Sequence, residues 1–178
     1  MVDIRVQVIS TVSVVRASRV WNVCTVKDLR IRRLGRGDLT AARELFTMMV
    51  DIFEEGATEE DVGPLTDDYL DRLLDRDSFW AFIAFIGSDI VGGLTAHTLP
   101  MTRSSSSVVF IYDLAVRLEY QRRGVGSLLI HELRDCTAAA GIREVFVAAN
   151  NEDTHALDFY RAQGAVASPV TFFTFTPR

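Results

Sequence analysis

Cysteine is scarce, with only Cys24 and Cys136 in 178 residues and no C-x-x-C spacing. A disulfide scaffold is thereby excluded, and a reducing, cytoplasmic setting is expected. Histidine is scarce too: His97, His131 and His155 lie far apart without ligand spacing, so no metal is expected. The chain also lacks an excess of positive charge. Its formal net charge is −5 and its sequence pI is about 5.2, which argues against a nucleic-acid partner and favours a cationic one. No clean apolar run is long enough to span a bilayer. The nearest candidate, residues 2–26, is broken by Arg16 and Arg19 and has no small-x-small cleavage site after it, so neither a membrane partner nor a secretory signal is expected. Residues 1–28 are read as a poorly ordered extension ahead of one domain over residues 29–178.

The chain is 48% hydrophobic, which for this length supplies one sizeable core. Alternation over 29–34 predicts a short strand. Asp38 is expected to cap a helix reaching about Phe53, with Leu39, Ala42, Leu45, Phe46 and Met49 at helical spacing. Gly56, Gly63 and Pro64 mark a loop over 54–66, and Thr66 or Asp67 caps a second helix over 68–74. Residues 79–86 and 89–99 read as strands joined by the two-residue turn Gly87-Ser88. A serine-rich connector follows, and then 108–116, almost unbroken in β-branched, aromatic and aliphatic residues, reads as a central strand. A helix over 125–140 stopped by Gly141, a strand over 145–149, a helix over 154–163 stopped by Gly164, and a last strand over 170–175 complete the pattern. The order β-αα-ββ-β-α-β-α-β predicts a single-domain α/β fold, a mixed central sheet flanked by helices.

Between the central strand and the next helix stands Gln121-Arg122-Arg123-Gly124-Val125-Gly126. A helix N-terminus opened by glycines offers free backbone N–H groups and a positive dipole end, and the flanking Arg and Gln side chains add donors, as a diphosphate requires. The same residues also suit a mere tight turn into a surface helix. A P-loop is excluded because Ser127 follows Gly126 without a lysine, and no G-x-G-x-x-G is present.

Two segments resemble the GNAT superfamily of N-acetyltransferases. The first is Ile111-Tyr112-Asp113-Leu114-Ala115-Val116 followed by Gln121 to Gly126, which is similar to the acetyl-CoA motif Q/R-x-x-G-x-G/A after a strand. The second is Asp153 to Tyr160 followed by Gly164-Ala165, which is similar to N-x-x-A-x-x-x-Y-x-x-x-G-F, with Asp153 in place of Asn and Ala165 in place of Phe. Over residues 31–175 the chain further resembles the aminoglycoside 3-N-acetyltransferases of type I, the gentamicin-modifying group. The stretches that carry this are Asp68-Tyr69-Leu70 with Leu73-Leu74, then Phe82 to Phe85 through Gly92-Gly93 to Pro100, and Ile111 to Val116.

The resemblance implies a GNAT fold, acetyl-CoA as co-substrate, and direct transfer to the 3-amino group of a 2-deoxystreptamine ring, hence antibiotic resistance. It implies Asp113 as the group that positions and deprotonates the amine and Tyr160 as proton donor to the thiolate. Leu114 would face the acetyl oxygen, while Ala115 and Val116 would pair with pantetheine. Gln121, Arg122, Arg123, Gly124, Val125, Gly126 and Ser127, with Asp153 and Ala156, complete the expected cofactor contacts. A homodimer through the late strands is implied as well. Taken as residues alone, Asp113 reads equally as a polar strand end and Tyr160 as a core aromatic.

Charge adds an independent argument about the acceptor. From Glu44 to Asp71 there is no Lys or Arg, while ten acidic residues fall there, Asp51, Glu54 and Glu55 among them. A one-signed cleft concentrates a polycation, and these three are the candidate acceptor carboxylates; a solvated acidic surface is the other reading. The same charge suits a polyamine, another small amine or a protein amine, and a non-catalytic CoA-binding module or a nucleotide-binding protein are the readings outside this enzyme class.

Overall fold

The computed structural model describes residues 28–53 and 65–175. The expected extension, apart from Asp28, lies outside the described residues, as do Glu54 and Glu55. The elements are β1 (Leu29–Arg33), α1 (Leu39–Phe53), α2 (Asp67–Leu74), β2 (Phe79–Ile86), β3 (Asp89–Pro100), β4 (Ser107–Val116), a short 3-10 turn (Leu118–Tyr120), α3 (Val125–Ala139), β5 (Val145–Val147) and α4 (Thr154–Ala162). The five strands form one sheet in the order β1-β2-β3-β4-β5. All neighbours pair antiparallel except β4 and β5, which are parallel and joined across α3, because a parallel pair needs a long crossover.

Helices α1 and α2 cover one face and α3 and α4 the other, giving two cores. Leu45, Met48 and Leu70 pack with Ala81, Ile83 and Ala115, while Leu129, Leu133 and Tyr160 pack with Phe82, Ile111 and Leu114. Strand β2 alternates between these cores, which is why its sequence Phe-Trp-Ala-Phe-Ile-Ala-Phe-Ile carries no polar face. Burying Phe82 completely contributes about 1.5–3 kcal/mol. Gly93 lets α1 lie flat on β3: a Cβ there would overlap the Leu45 side chain and stand 2.9 Å from the Phe82 carbonyl oxygen.

Local signals largely behave as the sequence predicts. The Gly87-Ser88 turn closes a hairpin in which Ile86 faces Asp89. Thr66 Oγ1 accepts from the Tyr69 N–H at 3.2 Å and caps α2. Asp38 precedes α1, but its carboxylate turns back to the Gly35 N–H (2.9 Å) and to Arg32, closing the preceding turn instead of capping the helix. One element is absent: residues 165–175 form no strand, and Phe172, Phe173 and Phe175 are exposed. Its Val, Thr and Phe residues suit a pleated surface, yet a strand needs a partner edge to take its backbone hydrogen bonds, and this segment has none among the described residues. Strand β5 likewise ends at Val147, short of the expected residue 149. No helix among the described residues is long and apolar enough to cross a membrane.

Candidate active site

The site begins with an irregularity in β4. Thr95 faces Asp113 but Ala96 faces Ile111, so Tyr112 is an extra, bulged residue. The bulge resets the alternation of the strand. Val109, Ile111 and Leu114 enter the α3/α4 core, and Ala115, two residues beyond Asp113, enters the α1/α2 core. Asp113 therefore points to the α1/α2 face, where its Oδ2 accepts a 2.7 Å hydrogen bond from the buried Thr95 hydroxyl. Burial pushes the Asp113 carboxyl above its ordinary range, with the Thr95 bond acting in the opposite direction.

Beyond the bulge β4 parts from its neighbour. Strand β5 pairs only with Val109, Phe110 and Ile111. The Arg117 N–H donates to the Val91 carbonyl at 2.9 Å, and antiparallel alternation from that bond turns the backbone groups of Asp113 and Ala115 towards β3. Those of Leu114 and Val116 point the other way, into the gap that opens past β5. Leu114 thus turns its N–H into that gap, whereas Ala115, expected to pair with an added strand, has its groups on the β3 side. The Val116 carbonyl accepts from Gln121 Nε2 at 3.0 Å.

The turn after β4 is left-handed at Arg122 (φ 59°) and at Gly124 (φ 86°). Gly124 sits at the N-cap of α3 with no side-chain cap, so the first N–H groups of the helix, from Val125 to Ser127, have no intrahelical acceptor. This cradle fits a diphosphate through backbone donors and the helix dipole. Several of the side chains expected to help are otherwise engaged. Gln121 braces the turn as described, Arg123 lies over the Tyr120 ring at 5.8 Å, Val125 is buried, and Ser127 Oγ accepts from Gln163 Nε2 at 2.9 Å. Gly126 serves packing as well: a Cβ there would stand 3.2 Å from Phe159 Cζ on α4.

Helix α4 delivers the phenol. Asp153 Oδ1 accepts from the Ala156 N–H at 2.9 Å, capping the helix, and the buried Ala156 seats its first turn against the core. One turn on, the Tyr160 hydroxyl is buried with no hydrogen-bond partner among the described residues. An orphaned hydroxyl of this kind costs about 1–3 kcal/mol. Burial, and then the charge of Asp153, push its pKa upward, so the phenol keeps its proton at neutral pH and remains a donor.

Asp51 stands apart from Asp113. It lines an open cavity of about 750 Å³ at the hairpin end of the α1/α2 face, together with Glu44, Asp89 and Glu119 and the cations Arg43 and Arg117. Arg43 is paired with Asp67, and Arg117 Nε donates to the Ile90 carbonyl at 2.8 Å. Thr95 and Phe159 were not legible as site residues, since only the strand register and the α3–α4 contact bring them there.

The Acetyltransferase (GNAT) family matches residues 43–165. Among solved structures the chain is similar to an aminoglycoside acetyltransferase, meta-AAC0020, from an uncultured soil metagenomic sample, in complex with sisomicin. The identity is 33% and the TM-score 0.79, over 85% of this chain and 97% of that one. A second soil-metagenome aminoglycoside acetyltransferase, HMB0005, is 31% identical with a TM-score of 0.77, over 84% and 99% of the two chains. The fold is shared by AAC(6')-Iy, solved with a bisubstrate analog, CoA-S-monomethyl-acetylneamine, at 21% identity and a TM-score of 0.68, over 84% and 99%. No curated protein matches the chain. With the family match running from α1 through the glycine turn to the end of α4, on a five-stranded mixed sheet flanked by four helices, this chain belongs to the GNAT family of acetyl-CoA-dependent N-acetyltransferases.

Proposed function

We propose that this protein transfers acetyl from acetyl-CoA to the 3-amino group of a 2-deoxystreptamine aminoglycoside by direct attack, without an acyl-enzyme. The observation that carries the mechanism is the Tyr112 bulge, which turns a half-buried carboxylate to one face of β4 while the Leu114 N–H faces the gap beside it. The substrate class is supported by the similarity to meta-AAC0020, whose structure holds sisomicin. It is supported too by the run from Glu44 to Asp71, which contains no basic residue. In this reading the negative charge of Asp51, Glu54 and Glu55 attracts a polycation.

Acetyl-CoA supplies the activated acetyl group. The α3 N-terminus, from Arg122 to Ser127, holds its diphosphate through backbone N–H groups, and Leu114 and Val116 flank the pantetheine arm. Asp113 takes the amine proton, directly or through one water, as nitrogen bonds the acetyl carbon. The Leu114 N–H donates to the acetyl oxygen as charge gathers there. The C–S bond then breaks, and Tyr160 gives its proton to the sulfur, balancing the one removed from the amine. The setting is cytoplasmic, and the unit is a homodimer assembled through the exposed apolar residues Val170, Phe172, Phe173 and Phe175; equilibrium sedimentation at monomer mass is the result that removes the dimer.

Release of CoA by purified protein with sisomicin, gentamicin, kanamycin, spermidine or a lysine peptide tests the reading, and NMR of the product locates the new amide. Turnover of the antibiotics with acetylation at N3 is expected. Turnover confined to spermidine or to the peptide replaces the substrate assignment with a polyamine or protein amine.

A further inference from the structure

One row of the sheet is aromatic from strand to strand. Phe79 on β2 faces His97 on β3, His97 faces Phe110 on β4, and Phe110 faces Phe146 on β5. The rings touch in sequence: Phe79 and His97 at 5.2 Å, His97 and Tyr112 at 5.7 Å, Tyr112 and Phe110 at 6.1 Å, and Phe110 stacked on Phe146 at 5.1 Å. The bulge puts Tyr112 in this row beside Asp113, because both bulge residues turn to the α1/α2 face. One end of the row is sealed, with Phe79 buried against Phe46 of α1 at 6.3 Å. The other end opens to solvent, where Phe146 is 39% exposed.

Position gives the row its meaning. The diphosphate cradle lies past the C-terminal end of β4, so a co-substrate bound there reaches Asp113 from that end. A nucleophile that attacks directly must arrive from elsewhere, and the row runs from Asp113 along β4 the other way. Phe110 lies about 10 Å from Asp113 at the rise of an extended strand. Its chemistry suits a cation carried on a ring. Aromatic faces attract ammonium groups and present flat apolar surface. Asp113 adds a carboxylate at the inner end, and His97 is held towards its neutral form by burial and then by the charge of Arg76.

We propose that Tyr112, Phe110 and Phe146 form the acceptor-positioning surface: an aminated sugar ring lies along them and presents its amine to Asp113. This rests on the aminoglycoside reading above and adds residues that set specificity for the acceptor. The test is steady-state kinetics of Tyr112→Leu, Tyr112→Phe and Phe146→Leu with sisomicin and acetyl-CoA varied separately, each variant checked by thermal melting. Tyr112→Leu is expected to raise the sisomicin KM about tenfold, with a smaller change in the acetyl-CoA KM. Phe146→Leu, at an exposed site that tolerates substitution, is expected to raise the sisomicin KM about threefold. Tyr112→Phe keeps the ring and is expected to lose far less than the leucine variant. Unchanged sisomicin KM in both leucine variants overturns the inference while the function stands. So does equal damage by Tyr112→Phe and Tyr112→Leu, or dissociation of a dimer by Phe146→Leu with sisomicin KM unaltered. A wild-type protein that turns over no aminoglycoside removes both.

Discussion

In the proposed mechanism the two sides of β4 recognise by different means. In the gap past β5 the groups that the mechanism aims at a ligand are mostly backbone: the Leu114 and Val116 peptides and the first N–H groups of α3, shaped by Gly124 and Gly126. Nearby side chains brace that frame, Gln121 on Val116 and Gln163 on Ser127. On the α1/α2 side the work falls to side chains, namely Asp113 held by Thr95, the aromatic row, and the carboxylates near Asp51. A backbone site tolerates many sequences, provided its glycines and turn remain, so it serves one common co-substrate. A side-chain site changes with single substitutions, and the proposal puts acceptor choice there.

The sharpest way to break this comparison is at Asp113. Asp113→Asn is expected to cut kcat by about 10²–10⁴-fold, the scale of a lost general base, while calorimetry detects acetyl-CoA binding as in the parent. Lost binding would tie the two faces together. The same variant has a stability signature. A carboxyl whose pKa is raised by folding contributes most when protonated, below its unfolded pKa, and that contribution is lost as pH rises through the folded value. Asn removes the charged form, so Tm at neutral pH is expected to rise; a fall would show that Asp113 supports the fold.

On the other face, Tyr160→Phe is expected to lower kcat about tenfold to a hundredfold and to leave Tm unchanged or higher, because the deleted hydroxyl has no partner among the described residues. Wild-type turnover in that variant would leave the leaving thiolate without this donor. Gly126→Ala pushes a methyl against Phe159. It is expected to cost about 1–3 kcal/mol of stability and to raise the acetyl-CoA KM more than the acceptor KM, with Phe159→Leu in the double variant restoring part of the loss. Failure of that rescue would place the strain elsewhere. The smallest effect is expected at Thr95. Removing its hydrogen bond with Thr95→Val raises the Asp113 pKa further, so the acid limb of the pH–rate profile should move to higher pH, with kcat at pH 7 falling about threefold. An unmoved limb would assign that limb to another group.

Much of this was legible in the residues. The glycine turn, the Gly87-Ser88 hairpin and the Asp153-to-Tyr160 helix are local signals within a few residues of what they control. The missing strand at 170–175 shows where such signals stop, since residue type describes a segment that suits pairing and says nothing of an available edge. The role of Gly126 changed for a similar reason: its neighbour in space, Phe159, lies 33 residues on in the chain.

By itself the sequence determined where the helices, the turns and all strands but the last lie, where a helix N-terminus stands free, and that the acidic window is of one sign, because each is a property of near neighbours along the chain. Only the tertiary structure decided which face Asp113 looks from, since one bulged residue inverts the alternation beyond it and no local pattern marks its place. It also decided that Thr95 holds that carboxylate, that the buried Tyr160 hydroxyl has no partner among the described residues, and that aromatics from four strands fall in one row. Register between distant strands brings such groups together, and register is a compromise among all the packed faces at once.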